Sequence, residues 1–274
     1  MTYKTIQYEQ REHTVCITLD RPESLNAIND EMVRELRDAY ACVETSESVW
    51  TLIMTGNGRA LCVGADVNKA SADEDEAWAP GIDTQGEPIL SSFRQWDPPQ
   101  EATPPYLQMT KPVICAVNGM AAGAGLDLVT TADIVIASEA ATFFDPHVSI
   151  GLVSGREMVR MARVLPVGIA MRMALMGKQE RMTAERAYEL ALVSEVVPPD
   201  ALLERAWELA GMLNRNAPLA VRGTRLAIRK GLSLPVYEAE LLAEGYRLRV
   251  SQTEDAQEGP RAFLEKRDPR WRVR

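Results

Sequence analysis

Histidine is the scarcest titratable residue of this chain, with only His13 and His147 among 274 residues. The four cysteines, Cys16, Cys42, Cys62 and Cys115, are scattered and form no CxxC pair. A His/Cys zinc centre is excluded on that count, and no metal is expected. Unpaired cysteines of this kind read as reduced, buried thiols of a cytoplasmic protein. Cationic side chains are also in deficit: 30 Lys and Arg against 39 Asp and Glu leave a formal charge of −9. Binding to phosphate backbones needs a clustered basic face, so nucleic acid is not expected as the main ligand. No apolar run approaches the roughly 20 residues that span a bilayer. The opening MTYKTIQYEQREH has no apolar core of a signal peptide, and no membrane partner is expected. What is present is 46% hydrophobic and 25% charged residues, the proportions of an ordinary globular protein long enough to bury a sizeable core.

Along the chain, Val15-Cys-Ile-Thr-Leu19 alternates and stops at Asp20-Arg21-Pro22, a strand and a turn. Asn29 caps a helix whose Met32, Val33, Leu36, Ala39, Tyr40 and Val43 form one stripe. Trp50–Thr55 reads as a buried strand, and strand, helix, strand in this order predicts an α/β fold. Residues 68–105 depart from the pattern, with an acidic run at Asp73–Glu76, Trp78, Trp96 and several prolines. An irregular insert of that length is commonly a functional loop or a disordered one. Val113–Val117 and Asp133–Ala137 are further strands, and beyond Gly155 helices dominate to the C-terminus.

Two small-residue turns invite chemistry. Gly64-Ala65-Asp66 follows one buried stretch, and Gly123-Ala124-Gly125 follows another. Backbone N–H groups at a helix start lack intrahelical partners and sit at its positive end, so two of them aimed at one point would bind an oxyanion. Either turn alone would also serve simple close packing.

Four segments, Leu25-Asn-Ala-Ile28 after Arg21-Pro22, Leu61–Asp66, Lys111–Gly119 and Gly123–Asp127, occur in the order seen in the crotonase (enoyl-CoA hydratase/isomerase) superfamily. Thr183–Ala187, Leu192–Pro198 and Glu258–Lys266 extend the resemblance over nearly the whole chain. It implies an α/β fold, a crotonase-type spiral of ββα units over 1–197, followed by a helical region, 198–274, for oligomerisation and CoA contact. It further implies an acyl-CoA enzyme with no prosthetic group, coenzyme A being part of the substrate, assembled as a homotrimer or homohexamer. By the resemblance, the N–H groups of Ala65 and Ala124 hold the thioester oxygen. Asn26, Ala27, Cys62, Ala65 and Asp66 lie where the family holds CoA, and Phe263 and Lys266 correspond to tail residues near its nucleotide, often from a neighbouring subunit.

The catalytic pair departs from the family pattern of two glutamates. Asp127 and His147 occupy those positions in this sequence. A hydratase-like lyase in which Asp127 and His147 divide the proton work is the first expectation. The histidine is also similar to that of β-diketone and ring-opening C–C hydrolases of the superfamily, and a non-catalytic acyl-CoA-binding member is the third reading. Each residue has a plainer alternative: His147 hydrogen-bonded to Asp145 or to backbone, Asp127 a structural cap or the partner of an arginine. Asp145, Ser149, Ser154, Arg156 and Glu157 lie nearby in sequence, the last two expected as a surface or interface pair.

Overall fold

A computed structural model describes residues 2–66 and 109–274. The insert expected at 68–105 lies outside the described residues. Strand β1 (Ile6–Arg11) pairs antiparallel with β2 (Thr14–Leu19), and helix α1 (Asp30–Thr45) follows. As expected, Asn29 caps α1, its side chain accepting from the Met32 N–H, and Met32, Leu36, Ala39, Tyr40 and Val43 are buried; Val33, placed in the stripe by its spacing, is 44% exposed. Strands β3 (Thr51–Gly56), β5 (Val113–Val117), β7 (Ile134–Ser138) and β10 (Glu195–Val197) add to β2 in parallel, giving a six-stranded sheet ordered β1-β2-β3-β5-β7-β10.

Short strands alternate with these in the chain. β4 (Ala60–Cys62), β6 (Met120–Ala122), β8 (Thr142–Phe144) and β9 (Met182–Thr183) form a second sheet in that order. The chain therefore repeats one unit: a strand of the large sheet, a short strand of the small one, then a helix. β5 and β6 lead into α2 (Ala124–Thr131), and β7 and β8 lead towards α3 (Arg156–Val164). This is the ββα spiral implied by the resemblance.

The central strands are apolar throughout because both faces of the large sheet are covered, as parallel strands require. Val113, Cys115 and Val117 point into the main core, while Ile114 and Ala116 point to the other face. There they meet Leu202, Ala206, Leu209 and Ala210 of α6 (Leu202–Asn214), so the packed core continues past residue 197. Helices α4 (Val167–Met176) and α5 (Ala184–Glu189), the latter capped by Thr183, flank the small sheet. Helices α7 (Pro218–Gly231), α8 (Val236–Val250) and α9 (Glu254–Glu265) complete the tail. No helix among the described residues is long and apolar enough to cross a membrane.

Candidate active site

The two small-residue turns, 59 residues apart in sequence, touch in the fold. A methyl group placed on Gly64 would lie 3.7 Å from the Ala124 nitrogen, and one on Gly123 would lie 3.4 Å from Gly64 Cα. Both glycines have positive φ, +110° at Gly64 and +51° at Gly123, which side chains of other residues rarely tolerate. Ala124 is the first residue of α2, so its N–H has no acceptor within the helix. Around Ala65 the chain forms a parallel bridge to Ile28: the Ile28 N–H donates to the Gly64 carbonyl (2.8 Å), and the Asp66 N–H donates to the Ile28 carbonyl (2.9 Å). In such a bridge the N–H of the central residue points away from the partner strand, so that of Ala65 turns from Ile28.

His147 borders these turns. A methyl on Gly123 would sit 3.6 Å from its ring carbon Cε1. The residue opens a 3-10 turn, His147–Ile150, after β8, and Asp145 holds it twice: Oδ1 accepts from the His147 N–H (2.9 Å) and lies 2.7 Å from Nδ1. Ser154 donates to the other carboxylate oxygen. Asp145 is fully buried. Its burial alone would raise its pKa, yet the hydrogen bonds from His147 and Ser154 outweigh that and hold it below the usual carboxylate value. The same bond to Asp145 raises the His147 pKa above its ordinary value despite partial burial, with Glu157 and Asp127 adding to the rise. Nδ1–H towards Asp145 leaves Nε2 as the basic atom of the neutral ring.

Asp127 has a different setting. It is fully buried on α2, with Arg160 Nη1 2.7 Å from Oδ1 and Arg156 Nη2 3.7 Å from Oδ2. The arginine partner named as one plainer alternative for Asp127 is thus present in the fold. Of Arg156 and Glu157, expected as a surface or interface pair, Arg156 reaches Asp127 and Glu157 is only 7% exposed. Arg160 escaped the sequence reading, although its i,i+4 spacing from Arg156 places both on one face of α3. The far end of α2 is anchored as well, since Arg229 of α7 donates to the carbonyls of Thr131 and Ala132, and Asp133 pairs with both Arg225 (2.6 Å) and Arg229 (2.9 Å).

Residues 9–274 match the family described as "Enoyl-CoA hydratase/isomerase". The chain belongs to the enoyl-CoA hydratase/isomerase family. It is 33% identical to an (E)-benzylidenesuccinyl-CoA hydratase of Thauera aromatica, over 97% of this chain and 98% of that protein. It is 31% identical to a 2,3-dehydroadipyl-CoA hydratase of Escherichia coli, over 97% of each. The crystal structure of an enoyl-CoA hydratase/isomerase from Mycobacterium paratuberculosis superposes with a TM-score of 0.85 at 59% identity, covering 99% of both chains.

The residues expected at the CoA site of this family member fall into two groups. Asn26, Ala27 and Asp66 are gathered around Arg21, which in the sequence marks a turn and precedes the first family motif. Arg21 donates to the Ala27 carbonyl (2.5 Å) and pairs with Asp66 (2.9 Å). The fully buried Asn26 side chain accepts from the Arg21 N–H (2.8 Å) and donates to the carbonyls of Asn57 (2.9 Å) and Ala60 (2.8 Å). Its amide is thus a staple holding the turn against β4, and any contact with CoA falls to the backbone. Cys62 is likewise buried, its Sγ accepting from the Gly64 N–H at 3.4 Å and its thiol pushed up to about 12 by burial. Phe263 and Lys266 form the second group at the end of α9, where Phe263 is 82% exposed and Lys266 ends the helix in the left-handed conformation.

Proposed function

We propose that this protein is an enoyl-CoA hydratase in which His147 is the base. The observation that carries the reading is the Asp145-oriented imidazole set against the Gly123 turn. The thioester carbonyl oxygen accepts from the N–H groups of Ala65 and Ala124. Water attacks the β carbon and loses a proton to His147 Nε2, while negative charge moves onto the thioester oxygen. The enolate then collapses as the α carbon takes that proton from the His147 imidazolium, which restores the neutral ring. Net, H and OH add across the double bond. Preformed donors stabilise the enolate without reorganising when its charge appears, which is why the rigid turns matter. Asp127 serves here as a positioning residue that holds Arg160 and Arg156 over α2.

A panel of 2-enoyl-CoA esters, followed by loss of the conjugated thioester absorbance, tests the activity; absence of turnover at every chain length overturns it. The oxyanion hole has its own test. Ala124 is the first helical position, where proline is well tolerated, so Ala124→Pro deletes the donor while keeping the helix. We expect turnover to fall by about 10²–10³-fold with the fold retained. The Asp145–His147 pair also supports a second reading, hydrolysis of a carbon–carbon bond in a β-diketone, and loss of a 1,3-diketone without any hydration would favour it.

Assembly as a homotrimer or homohexamer is part of the proposal. Helix α8 buries none of its residues in one subunit, and Val236, Tyr237, Leu241 and Leu248 on it, with Ile228 and Leu232 beside it, remain exposed. Apolar surface on this scale marks an interface. Sedimentation should show a species several times the 30.3 kDa subunit; a lone monomer at micromolar concentration would refute it. The free cysteines fit a reducing, cytoplasmic setting.

A further inference from the structure

We propose that Asn118 is a positioning residue of the oxyanion hole, acting with Asn26 to fix the register at which the two donor turns meet. The inference rests on the reading above that the N–H groups of Ala65 and Ala124 hold the thioester oxygen, and it names what sets their spacing. The two turns leave neighbouring strands: Ala65 lies three residues beyond β4, and Ala124 two beyond β6. These strands pair in parallel, Ala60 with Met120 and Cys62 with Ala121, so Leu61 is one residue extra on β4. That extra residue is a β-bulge. Counting on from Cys62 and Ala121 sets Gly64 against Gly123 and Ala65 against Ala124. The two glycines do meet, since a methyl on Gly123 would lie 3.4 Å from Gly64 Cα. Counting on from Ala60 and Met120 without the extra residue would instead set Ala65 against Gly125. Successive N–H groups of an extended chain point to opposite sides, so a slip of one residue turns one donor away from the other.

A bulge interrupts the ladder, and here two side-chain amides hold it in place. Asn118, between β5 and β6, donates from Nδ2 to the carbonyls of Gly58 (2.9 Å) and Ala60 (3.0 Å). Its Oδ1 accepts from the N–H of Gly56 at the end of β3 (3.1 Å). The fully buried Asn26 donates to the same Ala60 carbonyl (2.8 Å). A carbonyl oxygen has two lone pairs and can accept from both amides. Ala60 directly precedes the extra Leu61, so β4 is pinned at the point where a slip would begin. The clamp also needs a glycine beside it: a methyl on Gly56 would come within 2.4 Å of the Ala60 oxygen. Asn118 acts on the reaction through β4, by keeping Ala65 in line with Ala124.

The test compares full-length wild type, Asn118→Asp, Asn118→Ala and His147→Gln. Aspartate keeps an acceptor for the Gly56 N–H but sets a carboxylate oxygen against the carbonyls of Gly58 and Ala60, whereas alanine removes the side-chain bonds alone. Three readouts apply: kinetics on a 2-enoyl-CoA, the infrared stretch of bound butyryl-CoA labelled with 13C at its thioester carbonyl, and thermal melting. In wild type, the two N–H donors should lower the stretch below that of the free thioester. For Asn118→Asp we expect kcat lower by about 10²-fold, the effect of a misplacement of about 1 Å, with KM little changed. The stretch should return towards the free value. Asn118→Ala should move kcat and the stretch in the same direction by less. His147→Gln should lose hydration and keep the lowered stretch.

Unchanged kcat and stretch in both Asn118 variants, assayed below their melting temperatures, would overturn the role of Asn118 and leave the hydratase reading standing. A lower Tm alone would then make the residue structural. A slower Asn118→Asp that keeps the wild-type stretch would overturn it as well, because the donors would still be in line. Should Asn118→Asp fail to fold, Asn118→Ala decides by the same two readouts. If wild type hydrates no ester, the hydratase reading fails and the stretch alone decides. Lowered in wild type and restored in Asn118→Asp, it supports the inference; equal in both, it overturns it.

Discussion

Replacing His147 by Gln is expected to lower kcat/KM for a 2-enoyl-CoA by about 10²–10⁴-fold, the usual range for a lost general base. Glutamine keeps the approximate shape and one hydrogen bond to Asp145 but has no basic nitrogen. The wild-type pH profile should carry the signature of the same group. Because the bond to Asp145 raises the His147 pKa, the basic imidazole forms only above the ordinary 6.5, and the acid limb of kcat/KM should lie above that value. Asp145→Asn removes the charge that raises it, so the acid limb should shift to lower pH while the rate falls through loss of ring orientation. An acid limb unmoved by Asp145→Asn would show that another group titrates.

The same pair makes a stability prediction with a definite sign. His147 has a folded pKa above its unfolded value, so its contribution is complete below about 6.5 and is lost as pH rises through the raised folded value. Asp145 has a folded pKa below its unfolded value, so its contribution is present above about 4 and is lost as pH falls through the lowered one. Their joint effect is largest between those limits.

Arg160→Met should produce the largest loss of stability among single changes at this site. It takes from the fully buried Asp127 its 2.7 Å partner, while Arg156, half exposed, stands farther off at 3.7 Å. Breaking a buried ion pair from one side typically costs about 3–5 kcal/mol, because the surviving charge has lost its solvation and gained nothing. For a chain of this size that corresponds to a fall in Tm on the order of 10 °C. The reverse change, Asp127→Asn, should cost less, since the Arg160 side chain is partly exposed and can reach water. The double variant should then be more stable than Arg160→Met alone, a coupling that thermal melts of the four proteins would reveal. Equal melting of wild type and Arg160→Met would show that the pair contributes nothing.

Local pattern determined much of this protein. Alternation and buried apolar runs located β2, β3, β5 and β7, because strands covered on both faces need apolar side chains at every position. The cap at Asn29 located a helix start, because a capping side chain satisfies an N–H within three residues of itself. Ordered motifs carried the family and the placement of His147 and the two glycine turns. Tertiary structure decided what lacks a local signal. Strand β1 is mostly exposed, and β9 and β10 are two and three residues long, so only their ladders with distant strands define them. The same holds for the partners of charged groups. Nothing near Asp127 in sequence marks it as the counter-ion of Arg160, 33 residues away, and nothing near Arg21 marks Asp66. Electrostatic partners are chosen by distance in space and by burial, which exist only once the chain has folded, and they separate the oriented His147 from the anchored Asp127.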